Sequence, residues 1–176
     1  MSSNALGYDF TSLMIHFEPS AISDYNTQGN DSSSFWFIET IDNKDVYTVL
    51  HLSEEHTNLL FYSKTWLFGE VESSSFLDTQ ETIYQTLCDL YGEPIVQNQK
   101  NNLLFFDRSN DPHTKIYAPY YVWQVDKSIV AILQGGKGMG NVKIYTQEKV
   151  NDANYYLEIN FRIDNGTYHQ DYSVIS

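Results

Sequence analysis

The sequence predicts a single α+β domain, a mostly antiparallel sheet with one main helix packed on one face. Short runs of β-branched and aromatic residues, separated by turn-forming residues, are typical of antiparallel strands. One stretch, residues 79–91, has the apolar spacing of an amphipathic helix. The chain has 176 residues, 41% of them hydrophobic, and contains no linker or low-complexity tract. We therefore expect residues 1–176 to form one domain with one core.

The first half of the chain is predicted to begin with strands. Residues 10–17 are apolar and β-leaning, and Pro19 ends that run. Residues 35–41 and 46–52 form two further runs on either side of residues 42–45 (DNKD). Because Asp and Asn side chains can hydrogen-bond their own backbone in turns, these two runs are predicted to form a hairpin.

The main helix has sequence signals at both ends. Asp78 is the predicted N-cap, and Glu81 three residues later completes a capping-box pair. The apolar face, at positions i, i+4, i+7 and i+8, consists of Ile83, Leu87, Leu90 and Tyr91. Gly92 is predicted to cap the C-terminus in the left-handed conformation, and Pro94 prevents the helix from continuing.

More strands are predicted on both sides of this helix. Residues 59–71 form a long run in which Gly69 is expected to mark a bulge. The later runs are residues 103–106, 120–125, 128–133, 142–145 and 155–163. Residues 135–140 (GGKGMG) are predicted to be a flexible hairpin loop, because they lack the P-loop pattern and no helix follows. Asn165-Gly166 predicts a tight turn, and residues 167–175 are predicted to close that hairpin.

The net charge of −13 is confined to the first half of the chain. Before Pro94 there are 15 acidic residues against only Lys44 and Lys64, whereas 8 acids and 8 bases follow. Such a field repels nucleic acid and anionic membranes and attracts basic partners, although acidity alone also suits ordinary solubility. The candidate binding residues are the acids expected to be exposed beside aromatic strands, namely Glu39, Asp42, Asp45, Glu54, Glu55, Glu70 and Glu72.

No motif for catalysis, a metal or a cofactor stands out. His51 and His56 are five residues apart, which places them about 140° apart on a helix or on opposite faces of a strand, so no shared metal is predicted. The alternating oxygens of Asp107, Ser109 and Asp111 lack the glycine and glutamate of an EF-hand, and a different cation contact there stays an alternative. Single-stranded nucleic acid is not a predicted ligand, because the ten basic residues do not cluster beside the aromatic ones.

The chain has no apolar run of the roughly 20 residues that a membrane span needs. Residues 1–10 lack the basic start and apolar core of a signal peptide, so a cytoplasmic location is expected. The single cysteine, Cys88, excludes an intramolecular disulfide and is predicted to be a packed thiol.

Residues 79–146 carry a family resemblance. A helix ending in Leu-Tyr-Gly-Glu-Pro (residues 90–94) is followed by Tyr-Val-Trp-Gln-Val (121–125) and by the runs 129–133 and 141–145. This order resembles the helix-plus-sheet unit of small bacterial envelope proteins of the beta-lactamase-inhibitor-protein-like type. It is also similar to that of small acidic bacterial immunity proteins. Both resemblances imply a non-enzymatic binding protein, and neither supplies a site residue.

These observations favour a cytoplasmic inhibitor or immunity-type protein, or a phage anti-defence protein. Its acidic, aromatic-rich surface would neutralise a basic protein partner, such as an enzyme acting on nucleic acid. The alternative is an envelope or surface module that binds a small ligand or glycan, and an enzyme with an unrecognised site is a third possibility.

Overall fold

The computed structural model describes residues 3–4, 6–23, 33–69, 73–107, 114–137 and 155–164. In chain order, its elements are β1 (Ser3–Asn4), β2 (Gly7–Tyr8), α1 (Thr11–Ile15), α2 (Ser20–Ser23), β3 (Ser34–Ile41), β4 (Lys44–Leu52), β5 (Leu59–Phe68), α3 (Ser73–Tyr91), β6 (Val96–Asp107), β7 (Thr114–Gln124), β8 (Ile129–Lys137) and β9 (Tyr155–Ile163).

Among the described residues, seven strands form one sheet in the order β3-β4-β5-β9-β8-β7-β6, and each neighbouring pair is antiparallel. Strands β1 and β2 form a separate two-stranded sheet. The predicted class, a mostly antiparallel α+β protein with one main helix, is confirmed. Strand β9 occupies the centre of the large sheet between β5 and β8.

The predicted hairpin of β3 and β4 is confirmed. Ile41 pairs with Lys44, which leaves a two-residue loop. Both loop residues, Asp42 and Asn43, have positive φ angles, of 52° and 62°. Turns of this kind match the twist of the flanking strands, and Asp and Asn tolerate the left-handed conformation better than other non-glycine residues.

Several strand boundaries differ from the prediction. Gly69 does not mark a bulge within β5, because β5 ends one residue earlier, at Phe68. The register between β4 and β5 is instead irregular at His51 and Leu52 of β4. The predicted loop at residues 135–140 is wrong in its first part, because residues 135–137 belong to β8 and pair with β9. A Cβ on Gly135 would lie 2.9 Å from Pro119 Cδ, so this glycine permits close packing between strands. The predicted strand at 142–145 and the hairpin after residue 164 lie outside the described residues.

The strand predicted at residues 10–17 is instead the short helix α1. Asp9 Oδ1 accepts hydrogen bonds from the backbone N–H of Thr11 at 2.9 Å and from its hydroxyl at 2.6 Å. Leu13 on this helix is buried in the core. Local hydrogen bonding by Asp9 and the burial of Leu13 therefore outweigh the β preference of the sequence.

Helix α3 starts at Ser73, six residues before the predicted start. The predicted N-cap is wrong, since Asp78 lies inside the helix. The predicted C-cap is confirmed: Gly92 has a φ of 86°, and its N–H donates to the carbonyl of Cys88 at 2.8 Å.

The buried side of α3 differs from the predicted face in its last turn. The fully buried apolar residues are Phe76, Ile83 and Leu87. Leu90 is 47% exposed, so its prediction as a core residue is wrong. In the last turns the partly buried residues that pack against the core are Cys88 and Tyr91, so the buried stripe passes to one side of Leu90.

Alternation along the strands separates two faces of the large sheet. The first face carries the large hydrophobic cluster, which includes Tyr62, Trp66 and Trp123 together with Phe76 and Leu87 of α3. The second face carries a smaller cluster of Val96, Tyr120, Val122, Val130 and Ile132.

Candidate binding site

Glu39 is not the exposed acid that the sequence analysis predicted. It is 7% exposed because alternation along β3 turns it to the first face, in line with buried Phe37. Its carboxylate forms an ion pair with Lys64 Nζ. It also accepts the hydroxyl of Thr48 at 2.6 Å and the backbone N–H of Tyr8 at 2.8 Å. Glu39 therefore holds the N-terminal segment against the sheet and is unavailable to a partner.

Lys64 is the buried partner in this pair, with its side chain 1% exposed. Burial lowers the pKa of Lys64, while the carboxylate of Glu39 acts in the opposite direction. The ammonium lies 5.8 Å from the ring centroid of Phe10, a fully buried residue of the N-terminal segment. Nearby, burial and the charge of Asp9 raise the pKa of Tyr62, whose hydroxyl donates to Asp9 Oδ1 at 3.3 Å. The segment around Phe10 covers these ionisable groups, so they have a structural role.

Gly7 has the conformation that this contact requires. Its φ is 82°, and an added Cβ would collide with Glu39 Oε2. Glycine at this position therefore lets the neighbouring Tyr8 N–H approach the carboxylate.

The exposed acids separate into two groups. Asp42 and Asp45 lie at the β3–β4 turn, whereas Glu54 and Glu55 lie in the turn after β4. Strand β4 has nine residues, so the two turns are on the order of 26 Å apart, at about 3.3 Å per residue. The structure thus does not bring the four acids together. Glu70 and Glu72 lie outside the described residues.

A groove adjoins the first group, between the β3–β4 turn and α3. Its volume is about 310 Å³, and its lining is Ile41, Asp42, Lys44, Trp66, Asp78, Thr79, Thr82 and Ile83. We call it the tip groove. Asp78, exposed on α3, adds a third carboxylate that the sequence analysis had assigned to a helix cap. Together with Thr79 and Thr82, it forms a polar stripe at helical spacing, a signal that could have indicated this surface.

Lys44 separates the tip groove from a second groove of about 210 Å³. The second groove is lined by Lys44, Asp45, Tyr47, Trp66, Leu67, Phe68 and Ser75. Lys44 Nζ donates to Thr79 Oγ1 at 2.7 Å and to Ser75 Oγ at 3.1 Å, which ties the hairpin to the helix. Burial raises the pKa of Tyr47, and the carboxylate of Asp45 acts in the same direction.

The second face of the sheet carries a row of stacked polar and aromatic side chains. Ser34, His51, Phe61 and Arg162 are successive cross-strand partners on β3, β4, β5 and β9. Ser34 Oγ lies 2.9 Å from His51 Nδ1, and the rings of His51 and Phe61 stack at 4.7 Å with an 18° angle between their planes. Arg162 Cζ lies 4.4 Å from the centroid of Phe61. We call these four residues the stacked row.

His51 and His56, the two histidines that the sequence analysis considered for a shared metal, make separate contacts. His51 belongs to the stacked row, and His56 lies in the turn after β4 with its ring 5.8 Å from that of Phe35. Over the described residues, no group of three or more His, Cys, Asp and Glu side chains is placed to hold a metal ion. The helices of this part of the chain are all too short or too polar to cross a membrane.

Comparison with known proteins gives no relative. No protein-family model, no curated protein and no solved structure matches this chain. The resemblance of residues 79–146 to beta-lactamase-inhibitor-protein-like proteins and to immunity proteins therefore stays a prediction.

Proposed function

We propose that the protein is a non-enzymatic inhibitor or immunity-type protein of the cytoplasm that binds a basic protein partner at the tip groove. The observation that carries this proposal is the placement of three exposed carboxylates at two adjoining grooves: Asp42 and Asp78 line the tip groove, and Asp45 lines the second groove on the other side of Lys44. Bacterial toxin antidotes and phage anti-defence proteins both belong to this functional class.

The local architecture suits a preformed binding surface. Asp42 and Asp45 are held by a tight hairpin turn, and Asp78 by a helix of 19 residues. The proposal takes α3 as packed on one face of the sheet, supported by the contact between the rings of Phe76 and Phe68, whose centroids are 5.2 Å apart. Because the backbone of these elements is already ordered, binding there does not carry the added cost of ordering a loop.

The charge around the tip groove favours a cation. Among the described residues, Lys44 is the only base in the lining of either groove, and it already donates to Thr79 and Ser75. Three carboxylates against one ammonium leave a negative surface, which attracts an arginine or lysine side chain of a partner. Trp66, beneath both grooves, supplies an apolar wall of the kind found beside binding hot spots.

Affinity capture from the native host, followed by binding kinetics with the captured protein, tests this function. We compare Asp42→Asn/Asp45→Asn/Asp78→Asn with a control set of equal charge change, Glu54→Gln/Glu55→Gln/Glu93→Gln, whose residues are also exposed. We expect the first set to weaken binding at least tenfold, or about 1.4 kcal/mol, and the control set to change it much less. Rising salt should slow the association rate of the unmodified protein.

Two results would contradict the proposal. Equal losses in the two variants would mean that only the overall charge matters. A neutral sugar as the captured ligand would instead support the alternative, an envelope or surface binding module.

A further inference from the structure

Arg162 on β9 is a half-buried cation without a direct carboxylate partner among the described residues. The other partly or fully buried bases in that part of the chain have different arrangements, since Lys64 pairs with Glu39 and Lys44 binds two hydroxyls of α3. A half-buried guanidinium that lacks a counter-ion has lost part of its hydration without an ionic replacement. The environment of Arg162 therefore indicates where an anion would be stabilised.

The position of the guanidinium is set from two sides. Its Cζ lies over the ring of Phe61, 4.4 Å from the centroid, and Nε donates to Asn160 Oδ1 at 3.0 Å. These contacts use one face and one donor of the fork and leave the two terminal Nη groups without a side-chain acceptor among the described residues. A guanidinium fork binds planar oxyanions in a bidentate manner.

The two carboxylates nearest to Arg162 in sequence, Asp164 and Glu158, accept hydrogen bonds from amide side chains, and Asp164 Oδ2 accepts from Gln124 Nε2 at 3.1 Å. Glu158, four residues before Arg162 in β9, accepts hydrogen bonds from Asn160 Nδ2 at 3.2 Å and from Gln134 Nε2 at 3.1 Å. The amide of Asn160 thus stands between the two charged groups. Glu158 is occupied by these amides and does not neutralise Arg162 by direct contact.

His51 provides a second polar group on the other side of Phe61. When the Ser34 hydroxyl donates to His51 Nδ1, Nε2 carries the ring proton and becomes a donor. Arg162 and His51 are separated by two strand spacings, roughly 10 Å, with the edge of Phe61 between them. The stacked row therefore presents a cation, an apolar edge and a second donor in one line.

We propose that the stacked row is a binding site for a small organic monocarboxylate. The carboxylate is held by the Nη groups of Arg162, and the apolar body lies along the edge of Phe61 toward His51. A monoanion fits better than a phosphate dianion, because the protein carries a net charge of −13 and repulsion grows with ligand charge. This site is on the second face of the sheet and does not depend on the function proposed for the tip groove.

Nuclear magnetic resonance titration of the full chain with benzoate tests the proposal. We expect saturable shifts of the Arg162 side chain and of the Phe61 ring signals. Benzamide, the neutral analogue, and inorganic phosphate are both expected to bind at least tenfold more weakly. Tighter binding of phosphate than of benzoate, or no saturable shift with benzoate, would overturn the proposal.

Substitutions separate this site from general charge effects. Arg162→Gln should weaken benzoate binding at least tenfold, whereas Lys127→Gln, the same charge change on an exposed turn residue, should leave it unchanged. Arg162→Lys keeps the charge but loses the fork and the stacking on Phe61, so we expect a loss of several-fold. Unchanged benzoate binding in folded Arg162→Gln or in Arg162→Lys would refute the assignment.

Discussion

Replacing Lys64 with methionine removes the cation of the buried ion pair and keeps an unbranched side chain. The carboxylate of Glu39 would then be left 7% exposed, with only the Tyr8 N–H and the Thr48 hydroxyl as partners. An uncompensated charge in such a site is strongly unfavourable, because two neutral donors do not replace both the ionic contact and the lost hydration.

The expected cost of Lys64→Met follows from this environment. Removing one partner of a buried pair destabilises a protein by about 3–5 kcal/mol. For a chain of this length, that corresponds to a fall in melting temperature of roughly 6–20 °C. Native proteins are typically stable by only about 5–15 kcal/mol, so this loss is a large part of the total. Unfolding of the variant should therefore be measured at low temperature as well, so that a folded baseline is present.

The double variant Glu39→Gln/Lys64→Met removes both charges. The glutamine oxygen can still accept the Tyr8 N–H, so the double substitution should cost only about 1–2 kcal/mol, less than Lys64→Met alone. Urea unfolding followed by the fluorescence of buried Trp66 and Trp123 measures these two variants and the single variant Glu39→Gln. A cost below about 1 kcal/mol for Lys64→Met, or a double variant whose cost equals the sum of the two single costs, would refute the reasoning.

Three further predictions concern the core, the tyrosines and the histidines. Leu87→Ala should lower stability by about 2–5 kcal/mol and Leu90→Ala by less than about 1 kcal/mol, because only Leu87 is buried; equal losses in urea unfolding would contradict this packing. Since the folded state raises the pKa of Tyr62, the unfolded chain releases that proton first, and stability should fall as pH rises above about 10. Denaturation curves between pH 9 and 12 measure this fall, and full tyrosine ionisation near pH 10 in the folded protein would argue against it. The separate contacts of His51 and His56 predict protein without stoichiometric zinc and with a melting temperature insensitive to chelator, and elemental analysis showing one bound zinc would disprove this.

Local chemistry made parts of the fold predictable from the sequence. The Asp42-Asn43 turn suits positive φ angles whatever surrounds it, and Gly92 ends α3 for the same kind of backbone reason. The start of α3 was harder to predict, because Asp78 and Glu81 have cap spacing but lie inside the helix. A capping pattern within a long helix is indistinguishable in sequence from one at its start.

The sites depend on tertiary pairing and were predicted less well. Glu39 shares the inward face of β3 with Phe37 and Ile41, whereas Trp36 and Ile38 occupy the opposite face. Hydrophobicity alone therefore does not identify the inward face. The sequence does carry one signal for the buried ion pair: Glu39 in β3 and Lys64 in β5 both occupy positions whose neighbours on the same face are apolar. The stacked row depends on pairing between strands distant in sequence, and no local pattern carries that information.

The central position of β9 also bears on the order in which the protein assembles. Phe68 at the end of β5 pairs with Tyr155 at the start of β9, and β9 pairs with β8 along its other side. Until β9 has left the ribosome, no strand joins the group β3-β4-β5 to the group β8-β7-β6. The edges of β5 and β8 that face β9 in the folded protein are then unpaired. Pairing over such a separation is slow compared with helix formation. A nascent chain stopped before Tyr155 should therefore require chaperone protection against association, because the strand that joins the two halves of the sheet follows every other described strand of the chain.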